Sequence, residues 1–110
     1  SYFGVVTLRD GTLLVFGLRG RVYRSVDRGQ SWQQIKVDTT AGLQVGLQLS
    51  DGTLVIAGLS GTILVSRDNG ITVRTANRPD RMGISSLIEM GSNGLLLVGE
   101  GGVQRVDDLK

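Results

Sequence analysis

The apolar residues of this chain fall in short runs, and the runs recur. Leu13-Leu14-Val15-Phe16, Leu54-Val55-Ile56-Ala57 and Leu95-Leu96-Leu97-Val98 are each followed by glycine. A continuous apolar run of this length predicts a strand covered on both faces, whereas a half-solvated strand alternates apolar and polar residues. Aligning Asp10–Trp32 with Asp51–Val73, an offset of 41 residues, makes ten of 23 positions identical. A third copy starts near Ile84 and carries Gly94, Gly99 and Gly102. Strands are predicted at 2–8, 12–18, 21–26 and 31–37, then at 42–49, 53–59, 62–67 and 72–76. The last three are predicted at 84–90, 94–99 and 102–107. No helical period appears, and the glycine spacing argues against one.

Four short strands in about 40 residues, repeated, is the pattern of a β-propeller blade. The fold class expected is all-β: a partial propeller of about two and three-quarter four-stranded antiparallel blades. A β-sandwich is the runner-up, but it leaves the 41-residue period unexplained. The blades divide as 1–41, 42–82 and an incomplete 83–110. The last unit stops after three strands, which predicts the C-terminal part of a longer propeller. A ring of six to eight blades at this period needs roughly 250–330 residues. Open sheet edges and faces predict recruitment of a partner or self-association. A ring of two copies would hold 22 strands, not a whole number of four-stranded blades, and ranks last among the assemblies.

Two segments connect the third strand of a unit to the fourth. They are Ser25-Val26-Asp27-Arg28-Gly29-Gln30-Ser31-Trp32 and Ser66-Arg67-Asp68-Asn69-Gly70-Ile71-Thr72-Val73. An aspartate here can accept backbone N–H bonds and close a turn. Gly29 and Gly70 can take the positive φ that the turn needs. Trp32 is expected to pack its ring between sheets. The residues Ser25, Asp27, Gly29, Trp32, Ser66, Asp68 and Gly70 are therefore read as structural.

Both segments resemble the Asp-box, or bacterial neuraminidase repeat, the second lacking only the tryptophan. The stretch Asp10–Trp32 is most similar to the subgroup related to the photosystem II stability and assembly factor. That resemblance implies a periplasmic or secreted propeller that binds a protein partner without catalysis. Sialidases share the Asp-box, but their Arg-Ile-Pro signature is absent here, and Arg78-Pro79 does not supply it. The alternative is a piece of a sialidase-type glycoside hydrolase whose catalytic residues lie in other blades.

Composition narrows the chemistry further. The chain has neither histidine nor cysteine, which removes the serine triad, thiolate nucleophiles and the usual zinc ligands. No catalytic residue, metal site or cofactor is expected. The net charge of +2 comes from scattered arginines, so no nucleic-acid partner is expected. No signal peptide is visible in the segment, and no apolar run is long enough for a membrane span. Glycosidase chemistry needs two placed carboxylates, and the only glutamates are Glu89 and Glu100. Glu89 is read as a charged residue in a wet channel. Tyr2 and Tyr23 are read as packed strand residues.

In a propeller the loops between second and third strands share one end with the connections between blades. The candidates for a binding surface there are Arg19, Arg21, Arg78, Asp80, Arg81 and Glu100. Asp38, Thr39, Thr40, Ser60, Thr62 and Asn77 share that end. Residues 77–81 form the longest polar loop, on which Arg19, Arg21 and Glu100 are expected to converge. Guanidinium forks would suit the carboxylates of an acidic partner.

Overall fold

The computed structural model of the chain describes residues 2–91 and 94–107; Ser1, Ser92, Asn93 and residues 108–110 lie outside it. Eleven strands form three antiparallel sheets. The first sheet runs β1 (Tyr2–Thr7), β2 (Leu13–Gly17), β3 (Val22–Ser25), β4 (Gln33–Ile35). The middle sheet runs β5 (Leu43–Gln48), β6 (Leu54–Gly58), β7 (Ile63–Ser66), β8 (Arg74–Thr75). The last sheet holds β9 (Ile84–Met90), β10 (Gly94–Gly99) and β11 (Gly102–Val106). The architecture is an all-β partial propeller, with β1, β5 and β9 adjacent along the inner side.

Local turn chemistry sets each hairpin. Between β1 and β2, Asp10 Oδ1 accepts the Thr12 N–H at 2.9 Å and Gly11 turns at φ 92°. One repeat later Asp51, Gly52 and Thr53 do the same, at 2.9 Å and φ 93°. The acceptor role holds both Asp10 and Asp51 below the usual carboxylate range, with the Thr12 and Thr53 amides as the main cause. The chain makes short 3-10 turns at Leu18–Gly20, between β2 and β3, and at Leu59–Gly61, between β6 and β7. The first-to-second strand pairing slips once in every sheet, near Gly4, near Val45 and near Gly99. Such bulges add local twist.

Packing follows strand alternation. Leu14, Phe16 and Val22 of the first sheet meet Leu54, Ile56 and Leu64 of the middle sheet. The opposite side chains of the middle sheet, Val55, Ala57, Ile63 and Val65, form a second cluster with Leu95, Leu97 and Leu87 of the last sheet. The Phe16 ring lies so close to β5 that a Cβ on Gly46 would come within 3.0 Å of it. At the next interface the corresponding positions are Ala57 and Leu87, so a large-small pair is replaced by a small-large one. Burying these side chains is the main stabilising term, at about 25 cal/mol per Å² of apolar surface.

The expectation that every second strand is covered on both faces holds only for the middle sheet. All of β6 is buried, but β2 and β10 each leave alternate residues half-buried. Each lies in an end sheet, with a neighbouring sheet on one face only. Trp32 likewise does not pack between sheets. Its ring is 42% exposed, and its Nε1 donates to the Gly29 carbonyl at 3.0 Å. It follows the turn into β4, the outermost strand of an end sheet, where no second sheet covers it.

Candidate functional site

One end of the molecule is built from the β2–β3 and β6–β7 turns and from the connections that lead to the next sheet. Arg19 and Ser60 occupy the same turn position, at φ 61° and 59°. The following glycines rest directly on a connection. A Cβ on Gly20 would overlap the Thr39 carbonyl, and one on Gly61 would lie 3.0 Å from Arg81 Cα. The Arg78 amide also donates to the Gly61 carbonyl at 2.8 Å. The turns therefore hold the connections in place, and the connections carry the polar residues.

The result is two adjoining clefts. A cleft of about 500 Å³ holds Arg19, Arg21 and Lys36. A cleft of about 560 Å³ holds Arg78, Arg81, Ser60 and Asn77. Thr39 and Thr40 line both. None of these five cations is in an ion pair among the described residues, where the salt bridge found joins Arg105 and Asp107. Arg78 Nε is buried without a hydrogen-bond partner among the described residues. Its neighbours in the cleft, Ser60 and Thr62, offer hydroxyls rather than charge.

Asp80 and Glu100 do not line either cleft, contrary to the expected convergence, although Asp80 stands near enough to Arg78 to feel its charge. Glu100 Oε1 accepts the Gly83 amide at 2.6 Å, and the Glu100 amide donates to the Gly83 carbonyl at 3.0 Å. Asp80 accepts the Met82 amide at 3.0 Å and Gln104 Nε2 at 2.9 Å. These bonds, the Met82 amide first, hold Asp80 below the usual carboxylate range. Both carboxylates pin the 80–83 connection to the last sheet. A carboxylate that can close onto backbone N–H groups does so in preference to waiting in a loop. Arg19 and Arg21 belong to one cleft and Arg78 and Arg81 to the next.

The opposite end carries the two Ser-x-Asp turns. Asp27 accepts the Ser31 amide at 2.9 Å and the Ser31 hydroxyl at 2.5 Å. Asp68 accepts the Thr72 amide at 2.9 Å and its hydroxyl at 2.5 Å. The serines do as much as the aspartates. Ser25 Oγ donates to Asp27 at 2.8 Å and accepts the Gly29 amide at 2.9 Å. Ser66 repeats this at 2.8 Å to Asp68 and 2.8 Å from Gly70. Gly29 and Gly70 turn at φ 87° and 84°. The Ser31 hydroxyl and amide lower Asp27 to about 2, and Asp68 is lowered chiefly by Thr72.

Sequence reasoning missed Lys36, and it missed a brace between sheets. Gln48 Oε1 accepts the Arg9 amide at 2.9 Å, joining the middle sheet to the first. One repeat on, Glu89 accepts the Ser50 amide at 2.9 Å and the Ser50 hydroxyl at 2.8 Å. Glu89, on an inner strand, therefore also serves as a brace between sheets. The signal was present: Gln48 and Glu89, like Arg9 and Ser50, stand 41 residues apart.

No protein-family model, curated protein or solved structure matches the chain. No helix among the described residues is long and apolar enough to cross a membrane.

Proposed function

We propose that this chain is a non-enzymatic propeller scaffold that binds an acidic surface of a protein partner. The observation that carries the reading is the pair of adjoining clefts lined by Arg19, Arg21, Lys36, Arg78 and Arg81, with no carboxylate among the lining residues. Guanidinium groups are weakly hydrated and take carboxylates in bidentate geometry, so such a surface favours Asp- and Glu-rich partners. The resemblance of the Ser-x-Asp turns to the Asp-box, and of Asp10–Trp32 to the assembly-factor group, supports a scaffold and a periplasmic or secreted setting. The alternative is a fragment of a glycoside hydrolase. It draws no support from the two glutamates, because Glu89 and Glu100 are both bonded to backbone amides.

Fluorescence anisotropy with a labelled oligoglutamate peptide tests the reading. Binding is expected to weaken with salt. The triple variant Arg19→Gln, Arg21→Gln, Arg81→Gln is expected to lose at least about tenfold in affinity, or roughly 1.4 kcal/mol. Oligolysine should not bind. Equal binding by the variant, or by oligolysine, overturns the proposal.

A further inference from the structure

The two end sheets leave apolar faces open. On the first sheet Val5 is 59% exposed, with Leu13, Val15 and Tyr23 half-buried beside it. On the last sheet Val103 is 68% exposed and Ile88 47%, with Leu96 and Val98 half-buried. The 41-residue repeat says what fits each face: the size pairing and the inner-end brace occur at both internal interfaces, and the turn-glycine and arginine contacts occur at the first. The outer face of the last sheet corresponds to the faces that the first and middle sheets present to their successors. The outer face of the first sheet corresponds to the faces that receive them.

Four register positions agree. Leu14 meets the turn glycine of the next sheet, where a Cβ on Gly70 would fall 2.8 Å from the leucine methyl. Leu96 holds the place of Leu14 on the last sheet, and Gly29 holds the place of Gly70, with nothing but the Trp32 ring near it, at 3.5 Å. Arg24, paired with Leu14 across the strands, donates from Nε to the Asn69 carbonyl at 3.0 Å. Arg105 is paired with Leu96 in the same way. Arg28 holds the place of Asn69 and shares its left-handed backbone, φ 62° against 65°. Side-chain sizes complete the match: Phe16 with Gly46 and Ala57 with Leu87 are followed by Val98 with Val5, two medium residues. Finally Thr7 stands where Gln48 and Glu89 carry their bracing acceptors, and Gly91 stands where Arg9 and Ser50 carry the braced amides.

We infer that the last sheet of one copy packs on the first sheet of a second copy, in the register of the internal interfaces, with Arg105 Nε donating to the Arg28 carbonyl across the junction. In the single chain Arg105 Nε holds Asp107 at 2.7 Å, with both side chains largely exposed; packing would exchange that partner. Two copies joined head to tail through two such junctions close on themselves, a C2 ring of six sheets with unlike faces in contact. Among the described residues the last sheet ends at β11, and that edge lies away from the inner side and outside the junction. This inference goes beyond the proposed function and does not rest on it: it is read by mass, whereas the clefts are read by peptide binding.

Light scattering of the 110-residue chain across a concentration series is the test. The expected mass rises to twice 11.7 kDa. Val5→Asp and Val103→Asp, each on a largely exposed position of a different face, should each weaken the dimer at least about tenfold. An equimolar mixture of the two should regain a dimer held by one intact junction, weaker than the wild-type dimer but tighter than either variant alone, because each supplies the face the other lacks. Circular dichroism checks that both variants fold, and Arg105→Glu is the second variant on the last sheet if Val103→Asp does not. A wild-type chain that stays monomeric overturns the inference, and so does a mixture that fails to complement. Loss of the dimer by Val5→Asp alone also overturns it, since that outcome means like faces pair.

Discussion

The middle sheet and the first sheet are built from copies of one repeat, identical at ten of 23 aligned positions, and are buried differently. Leu54-Val55-Ile56-Ala57 is enclosed on both faces, whereas Leu13-Leu14-Val15-Phe16 is enclosed on one. The same holds for the turns. The Ser25–Trp32 and Ser66–Val73 turns make matching internal hydrogen bonds, yet only the second is docked. Asn69 Nδ2 reaches Asp10 at 2.7 Å, and Gly70 lies on Leu14. Arg28 and Gly29 have no such neighbour among the described residues. Local geometry in this fold is thus written within each unit, while burial is conferred by the adjacent unit.

The largest expected break in that comparison comes from the core. Ile56→Ala, at a wholly buried site, should cost about 2–5 kcal/mol. Val15→Ala, its counterpart one repeat earlier, should cost about 1 kcal/mol or less, because its methyls are already partly hydrated. Urea denaturation of the two variants measures the difference, and equal losses would mean the outer face of the first sheet is covered in solution.

The turn glycines give a smaller contrast. Gly70→Ala combines a positive φ with a collision against Leu14 and should cost about 2–3 kcal/mol. Gly29→Ala has the φ penalty alone, about 1 kcal/mol. Thermal unfolding of the pair is the measurement.

The smallest effect concerns acid. Asp27 has a folded-state value of about 2, below the 3.8 of an unperturbed carboxyl. A lowered value stabilises the fold fully above the unfolded value and loses that contribution as pH falls through the folded one. Asp27→Asn should therefore flatten the fall of Tm between about pH 4 and pH 2 and leave the slope above pH 5 unchanged. Trp32 is the sole tryptophan and sits on this turn. Its emission follows the same transition locally, so a red shift preceding global unfolding would place the acid-sensitive step at the undocked turn.

What the sequence made legible follows this division. The strands, the positive-φ glycines and the aspartate turns depend on neighbours a few residues away, and all could be placed from the chain itself. The cover over Val15, the outward ring of Trp32 and the separation of Glu100 from Arg19 depend on which sheet lies alongside. Apolar content alone cannot report that, since Leu13 and Leu54 are the same residue in different surroundings. The Gln48 and Glu89 braces fall between the two cases. They are long-range contacts, but they repeat, and a repeated polar position on an inner strand end is a signal available without coordinates.

The exchange of sizes between Phe16 with Gly46 and Ala57 with Leu87 makes the three units unlike interchangeable modules. If the second and first units traded places, Phe16 would face Leu87, and two bulky side chains would compete for a gap shaped for one. Overpacking of that kind costs about 1–3 kcal/mol. The order of the units is therefore recorded in the core itself, and a shuffled chain with identical composition and identical turns would be expected to fold less well than this one.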